Sequence, residues 1–234
     1  MESRELKGEE PVTYFKSTGG EETGGEGTRD MNPLDPFVVS GGENTERFYF
    51  VHVNSLSEKY KFNIRPEYFG EESAYAEVFP SRVQDILRKN TDARVFCVFD
   101  MDTVVKDGLQ AKHQDFLDAL KTEIDRGQVV ICDSMPSFEF WLLLHFVDYD
   151  GLLKDYPEVS EKLAPYIKPY FSNPDVKLKK LLKSRKYLED SSWVRRLLQE
   201  GRIEQAVERA KNCLARVIQE PVLHSYSNVF KAFE

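Results

Sequence analysis

Val95-Phe96-Cys97-Val98-Phe99-Asp100-Met101-Asp102 is the stretch on which the reading of this chain turns. An unbroken apolar run of β-branched and aromatic residues predicts a buried strand, and it stops at two aspartates one residue apart. In a parallel sheet wrapped by helices the ligand crevice lies at the carboxyl ends of the strands, so acids there face a bound group. The i, i+2 spacing lets Asp100 and Asp102 point the same way while the chain stays extended. Two convergent carboxylates suit a hard cation such as Mg²⁺ or Mn²⁺, which takes oxygen ligands. The plainer alternative is an Asp-rich turn in which Asp102 caps a local backbone N–H.

Outward from this strand, composition bounds the answer. The 234 residues are 41 % hydrophobic and 31 % charged, as in ordinary globular proteins. No apolar stretch approaches the ~18–20 residues of a membrane span, and Met1-Glu2-Ser3-Arg4-Glu5 lacks the apolar core of a secretory signal. Cys97 and Cys132 fall in strand-like runs and Cys213 in a helical pattern, so buried thiols and a cytoplasmic location are expected. Of the net charge of −8, residues 1–35 carry −5, from nine acids and four bases, which leaves −3 for the remainder. That leading segment includes the Gly/Glu-rich run 19–27, which cannot bury enough surface to fold, and is expected to be a flexible acidic tail. The fold should begin near Pro36. Its balanced charge argues neither for nor against nucleic acid.

The remaining pattern alternates. Strands are expected at 37–40, 62–69, 94–99 and 128–132, and helices at 45–59, 79–90, 112–126 and 137–146. Pro80 suits a first helical turn and Gly127 a helix C-terminus. Strands alternating with helices predict an α/β core over 36–150 with four parallel strands and helices on both faces. Two helices, 175–200 and 203–219, separated by Gly201, predict a helical C-terminal subdomain over 151–234.

Three acidic segments then fall at strand ends: Ser40-Gly41-Gly42-Glu43-Asn44-Thr45-Glu46, Asp100-Met101-Asp102, and Asp133-Ser134-Met135-Pro136-Ser137-Phe138-Glu139. Adjacent strands lie ~4.8 Å apart, so these carboxylates can converge on one ion. Glu46 would sit in a first helical turn, where the helix dipole favours its charge. The order Gly-rich acidic turn with Thr-Glu, then Asp-x-Asp, resembles the Toprim fold of topoisomerases, primases and overcoming-lysogenization-defect nucleases. More narrowly, Gly42–Phe50, Phe99–Asp102 and Ser134–Phe146, above all Ser-x-Pro-x-Phe-Glu-x-Trp-Leu-Leu-Leu-His-Phe, resemble the RloB-like family over residues 36–220. The resemblance implies a metal-dependent nuclease of bacterial antiphage defence, with a partner protein from such a locus. Where the family's first motif has Glu-Gly-x-x-Thr-Glu, this chain has Gly41 in place of the leading Glu.

On that reading Asp100 and Asp102, with Glu46, hold Mg²⁺ or Mn²⁺, and Glu43 or Glu46 stands in as acid/base. Ser134 and Glu139 support the site, Glu139 being as much a structural as a liganding residue. His145, on the same apolar helix, reads as a core histidine. The basic run 177–186 has leucines at 178, 181 and 182 as its packing face, leaving Lys179, Lys183 and Lys186 outward for DNA or RNA phosphates. A solvated helix face is the plainer meaning of that run. Two other readings stay open. One is a non-catalytic metal or nucleic-acid-binding protein, which Gly41 favours. The other is a haloacid-dehalogenase-like phosphatase, whose first motif Asp100-Met101-Asp102-Thr103-Val104 also resembles.

Overall fold

The computed structural model describes residues 35–42, 44–65, 75–219 and 224–234. The expected tail therefore lies, apart from Asp35, outside the described residues, as does Glu43. The sheet has the order β2-β1-β3-β4-β5. Strands β1 (Phe37–Ser40), β2 (Asn63–Arg65), β3 (Val95–Asp100) and β4 (Val129–Met135) are mutually parallel. A two-residue β5 (Tyr226–Ser227), which the sequence did not announce, pairs antiparallel with β4.

The helices are α1 (Thr45–Leu56), α2 (Tyr75–Lys89), α3 (Met101–Lys106), α4 (Gln110–Ala119), α5 (Lys121–Asp125) and α6 (Phe138–Leu144), followed by α7 (Tyr156–Ile167), α8 (Leu178–Lys183), α9 (Arg185–Leu188), α10 (Ser192–Gln199) and α11 (Arg202–Gln219). Among the described residues no helix is long and apolar enough to cross a membrane. Helix α2 begins before the expected Phe79, so Pro80 lies inside it and withholds one backbone hydrogen bond. The expected helix 112–126 is two, because Leu120 leaves helical dihedrals (φ −115°, ψ 13°) while its side chain is fully buried. Between α10 and α11 the chain turns at Gly201, whose φ of +63° a side chain would oppose.

Alternation along β3 builds the core. Phe96 and Val98 enter one apolar layer with α1, α6 and the C-terminal helices; Val95, Cys97 and Phe99 enter the other with Phe79, Val83 and Phe116. Every residue of β3 before Asp100 is buried, which is why the run reads as continuously apolar. The described residues from Asp35 to Glu234 belong to one compact unit. The C-terminal helices share the first layer rather than closing one of their own: Trp193, Leu197 and Ala206 belong to it, and Phe233 stacks at 5.5 Å on Trp141 of α6. This shared layer carries α8 to the carboxyl end of the sheet.

Candidate functional site

Asp100 is the last residue of β3, and its Oδ1 accepts the Phe138 backbone N–H at 2.7 Å, which ties the strand to the start of α6. Asp102 is already in the first turn of α3, where Lys106 Nζ lies 2.8 Å from its Oδ2. The two aspartates thus take different partners. The expected common direction assumed an extended chain, but helix begins at Met101, and a separation of two residues turns side chains to different faces.

Two other acids join Asp100 instead. Glu46, the second residue of α1, is 5 % exposed and folds its carboxylate back over Gly42. A Cβ on Gly42 would stand 2.3 Å from Glu46 Oε2, so the absent side chain is what admits the carboxylate. Glu139, in the first turn of α6, is wholly buried and accepts from Ser137 Oγ at 2.8 Å. The ammonium of Lys183, the last residue of α8, lies 2.8 Å from Glu139 Oε1. Thr45 knits these elements together: its hydroxyl donates to the Leu182 carbonyl at 2.6 Å and lies 3.3 Å from Glu139 Oε1.

Carboxylates outnumber cations here. Burial pushes the Asp100 carboxyl well above its ordinary range, and the charges of Glu46 and Glu139 add to that against Lys183 and the Phe138 N–H. Burial also raises Glu46, opposed by Lys183 and reinforced by Glu139. For Lys183 burial works against the charge, but Glu139, Glu46 and Asp100 outweigh it and raise its pKa. One ammonium therefore serves three converging acids, and the surplus of carboxylates favours protons on the cluster. Among the described residues no three His, Cys, Asp or Glu side chains form a ready-made metal cage. The donors are nevertheless all hard oxygens, which match a Mg²⁺-type ion that keeps much of its water.

The other sequence-predicted residues fall elsewhere. Ser134 Oγ pairs with Ser227 Oγ at 2.8 Å and fastens β5 to β4. Lys179 is exposed and Lys186 lies over the Tyr187 ring at 5.6 Å, while the Lys183 side chain is 39 % exposed and its ammonium reaches back to buried Glu139. The reason is that α8 ends at Lys183, with the Leu182 carbonyl held by Thr45, so the last side chain swings toward α6. At Gly41 a Cβ would meet Phe99 Cβ at 3.4 Å and Phe79 Cε2 at 3.8 Å, on the apolar face opposite Asp100. His145 is a core histidine: its Nδ1–H donates to the Trp141 carbonyl at 2.9 Å, which leaves Nε2 to accept the Tyr49 hydroxyl at 3.0 Å. Burial lowers its pKa to about 3. Tyr156, which no sequence signal singled out, places its ring 5.3 Å from Lys183 Nζ.

A family model described as RloB-like protein matches residues 37–234. Comparison with curated proteins and with solved structures gives no match.

Proposed function

The chain belongs to the RloB-like family, and we propose that it is a divalent-metal-dependent nuclease that hydrolyses phosphodiesters of DNA or RNA, in the setting of antiphage defence. The observation that carries this reading is the ion pair between Lys183 and Glu139. It makes the basic segment 177–186 and the acid cluster neighbours, so a surface that would bind phosphate and a group that would bind metal lie side by side. The α/β core suits a Toprim-like assignment, with the acids at the carboxyl ends of its strands.

Asp100 and Glu46 would hold the ion, Mg²⁺ or Mn²⁺, with Glu139 kept in place by Lys183, Ser137 and Thr45. When bound, the ion neutralises the carboxylate surplus and polarises the phosphodiester. Glu46, whose proton affinity burial has raised, is suited to take a proton from an attacking water at a carboxylate oxygen. Asp102, paired with Lys106, shapes the rim of the same strand end.

The test is a panel of plasmid DNA, single-stranded DNA and tRNA with Mg²⁺ or Mn²⁺, for wild type and Asp100→Asn. Metal-dependent cleavage by the wild type alone supports the reading; cleavage by both, or by neither, removes it. A second reading, a non-catalytic nucleic-acid-binding protein, is favoured by Gly41, which leaves no carboxylate at that position. It predicts retained binding without cleavage.

A further inference from the structure

Helix α7 presents one aromatic side chain to solvent. Tyr166, near its C-terminal end, is 44 % exposed and is the only exposed large aromatic among the described residues. Its ring stacks on half-buried Phe146, with centroids 5.8 Å apart and planes 14° from parallel, so packing fixes the plane of the exposed ring. Phe146 in turn has the Arg202 guanidinium 5.5 Å from its centroid and meets Tyr170 edge-on at 5.2 Å. Arg196, exposed on α10, lies 4.3 Å from the centroid of the Tyr170 ring. Lys162, one turn before Tyr166, is exposed on the same face of α7.

Cations exceed acids around this stack. Burial lowers the Arg209 pKa and the nearby charge of Arg202 adds to that, against Asp148. Asp148 is itself bridged to Arg216 at 3.0 Å. Glu200 accepts both the Tyr170 hydroxyl and Arg202 Nε, and Glu161 adjoins Lys162 in sequence. An exposed π face amid surplus cationic charge, in a chain of net charge −8, matches an anion that carries flat rings. Bases offer their faces to a side chain where they are not stacked in a duplex. We propose that Tyr166 is a stacking platform for a base of single-stranded DNA or RNA, with Lys162, Arg196 and Arg202 meeting the phosphates beside it. This rests on the nucleic-acid reading above and narrows the substrate to a strand with unpaired bases. Ten residues of α7, about 15 Å of helix, separate Tyr166 from Tyr156, whose ring lies beside Lys183, the partner of Glu139. A strand laid along α7 from the platform therefore reaches the acid cluster.

Tyr166→Leu tests it, because an apolar side chain still covers Phe146 and only the π face goes. Fluorescence anisotropy of a labelled, phosphorothioate-linked single strand should show affinity falling about fivefold or more, the value of one stacked base. Tyr166→Phe keeps the ring and should bind like wild type. Affinity for a duplex of the same sequence should be unchanged in both variants. Lys162→Gln should reduce the salt slope of single-strand binding by about 0.7 unit. If Tyr166→Leu binds the single strand as tightly as wild type, or weakens single strand and duplex alike, the platform is refuted. The same holds if Tyr166→Phe loses as much as Tyr166→Leu. Self-association that Tyr166→Leu disrupts, with oligonucleotide affinity unchanged, would make the surface a contact between copies and overturn the proposal. The cleavage panel separates the two claims. A wild type that binds single strands through Tyr166 but cuts none keeps the platform and removes the nuclease. Metal-dependent cleavage that Tyr166→Leu leaves unchanged, with unchanged binding, does the reverse. If the wild type binds no single strand, the platform falls whatever the chain cuts.

Discussion

Replacing Lys183 by Met removes the ammonium that serves the acid cluster while keeping most of the apolar stem. Breaking a buried ion pair from one side costs about 3–5 kcal/mol, because the partner is left charged in a poor solvent. Glu139 is wholly buried, but the Lys183 side chain is 39 % exposed, so water screens part of the pair. The expected loss is therefore about 2–3 kcal/mol near neutral pH. For a domain of this size that lowers the unfolding temperature by about 4–12 °C. The pH dependence is diagnostic. Asp100 and Glu46 bind protons more readily in the folded chain than in the unfolded one, so acid reduces the negative charge that Lys183 offsets. Thermal unfolding without divalent ions should accordingly show a larger loss at about pH 8 than at about pH 5. Lys183→Met/Glu139→Gln should recover more than half of the loss at about pH 8. An equal loss at both pH values, or no recovery in the double variant, would refute the electrostatic account of the cluster.

Other consequences follow from the same geometry. Asp100→Asn keeps an oxygen for the Phe138 N–H and removes a raised carboxyl. Because a raised folded pKa means stability declines as pH climbs from 3.8 toward the folded value, ligand-free wild type should lose stability relative to the variant over that window. Urea midpoints that run parallel across pH would contradict this. His145, with its pKa near 3, should show no protonation by NMR between about pH 8 and pH 4.5; a titration near 6.5 would mean the ring is not sealed. Lys179→Gln and Lys186→Gln should each reduce the salt slope of nucleic-acid binding by about one unit and leave thermal stability unchanged. Binding that is insensitive to both, across a salt series, would make the run a solvated face.

Much of the core was legible because the apolar runs of β1, β3 and β4 end at acids or turn residues, and the period of burial is short enough to read locally. Asp100 was visible because the apolar run of β3 ends on it, and Glu46 and Glu139 because they follow the turns after β1 and β4. What was not legible is direction. Nothing in Phe99-Asp100-Met101-Asp102 says that helix starts at Met101, which is what separates the two aspartates. Nor does the leucine spacing of 178–182 say that α8 stops at Lys183, whose ammonium reaches Glu139. Helix α7 carries Pro157 and Pro165, which mask it as a helix and with it Tyr156. Strand β5 is two residues long and exists because Ser227 and Ser134 meet, a contact between residues 93 apart in sequence.

The cation site proposed for the carboxylates around Asp100 is tested most directly by a Mn²⁺ titration of the full chain. Calorimetry at about pH 6 and pH 8 should show saturable binding in the wild type that tightens as pH rises, because protons held by Asp100 and Glu46 must leave. Asp100→Asn should abolish or greatly weaken it. Binding of equal strength in wild type and Asp100→Asn, or no saturable binding at either pH, would contradict the account.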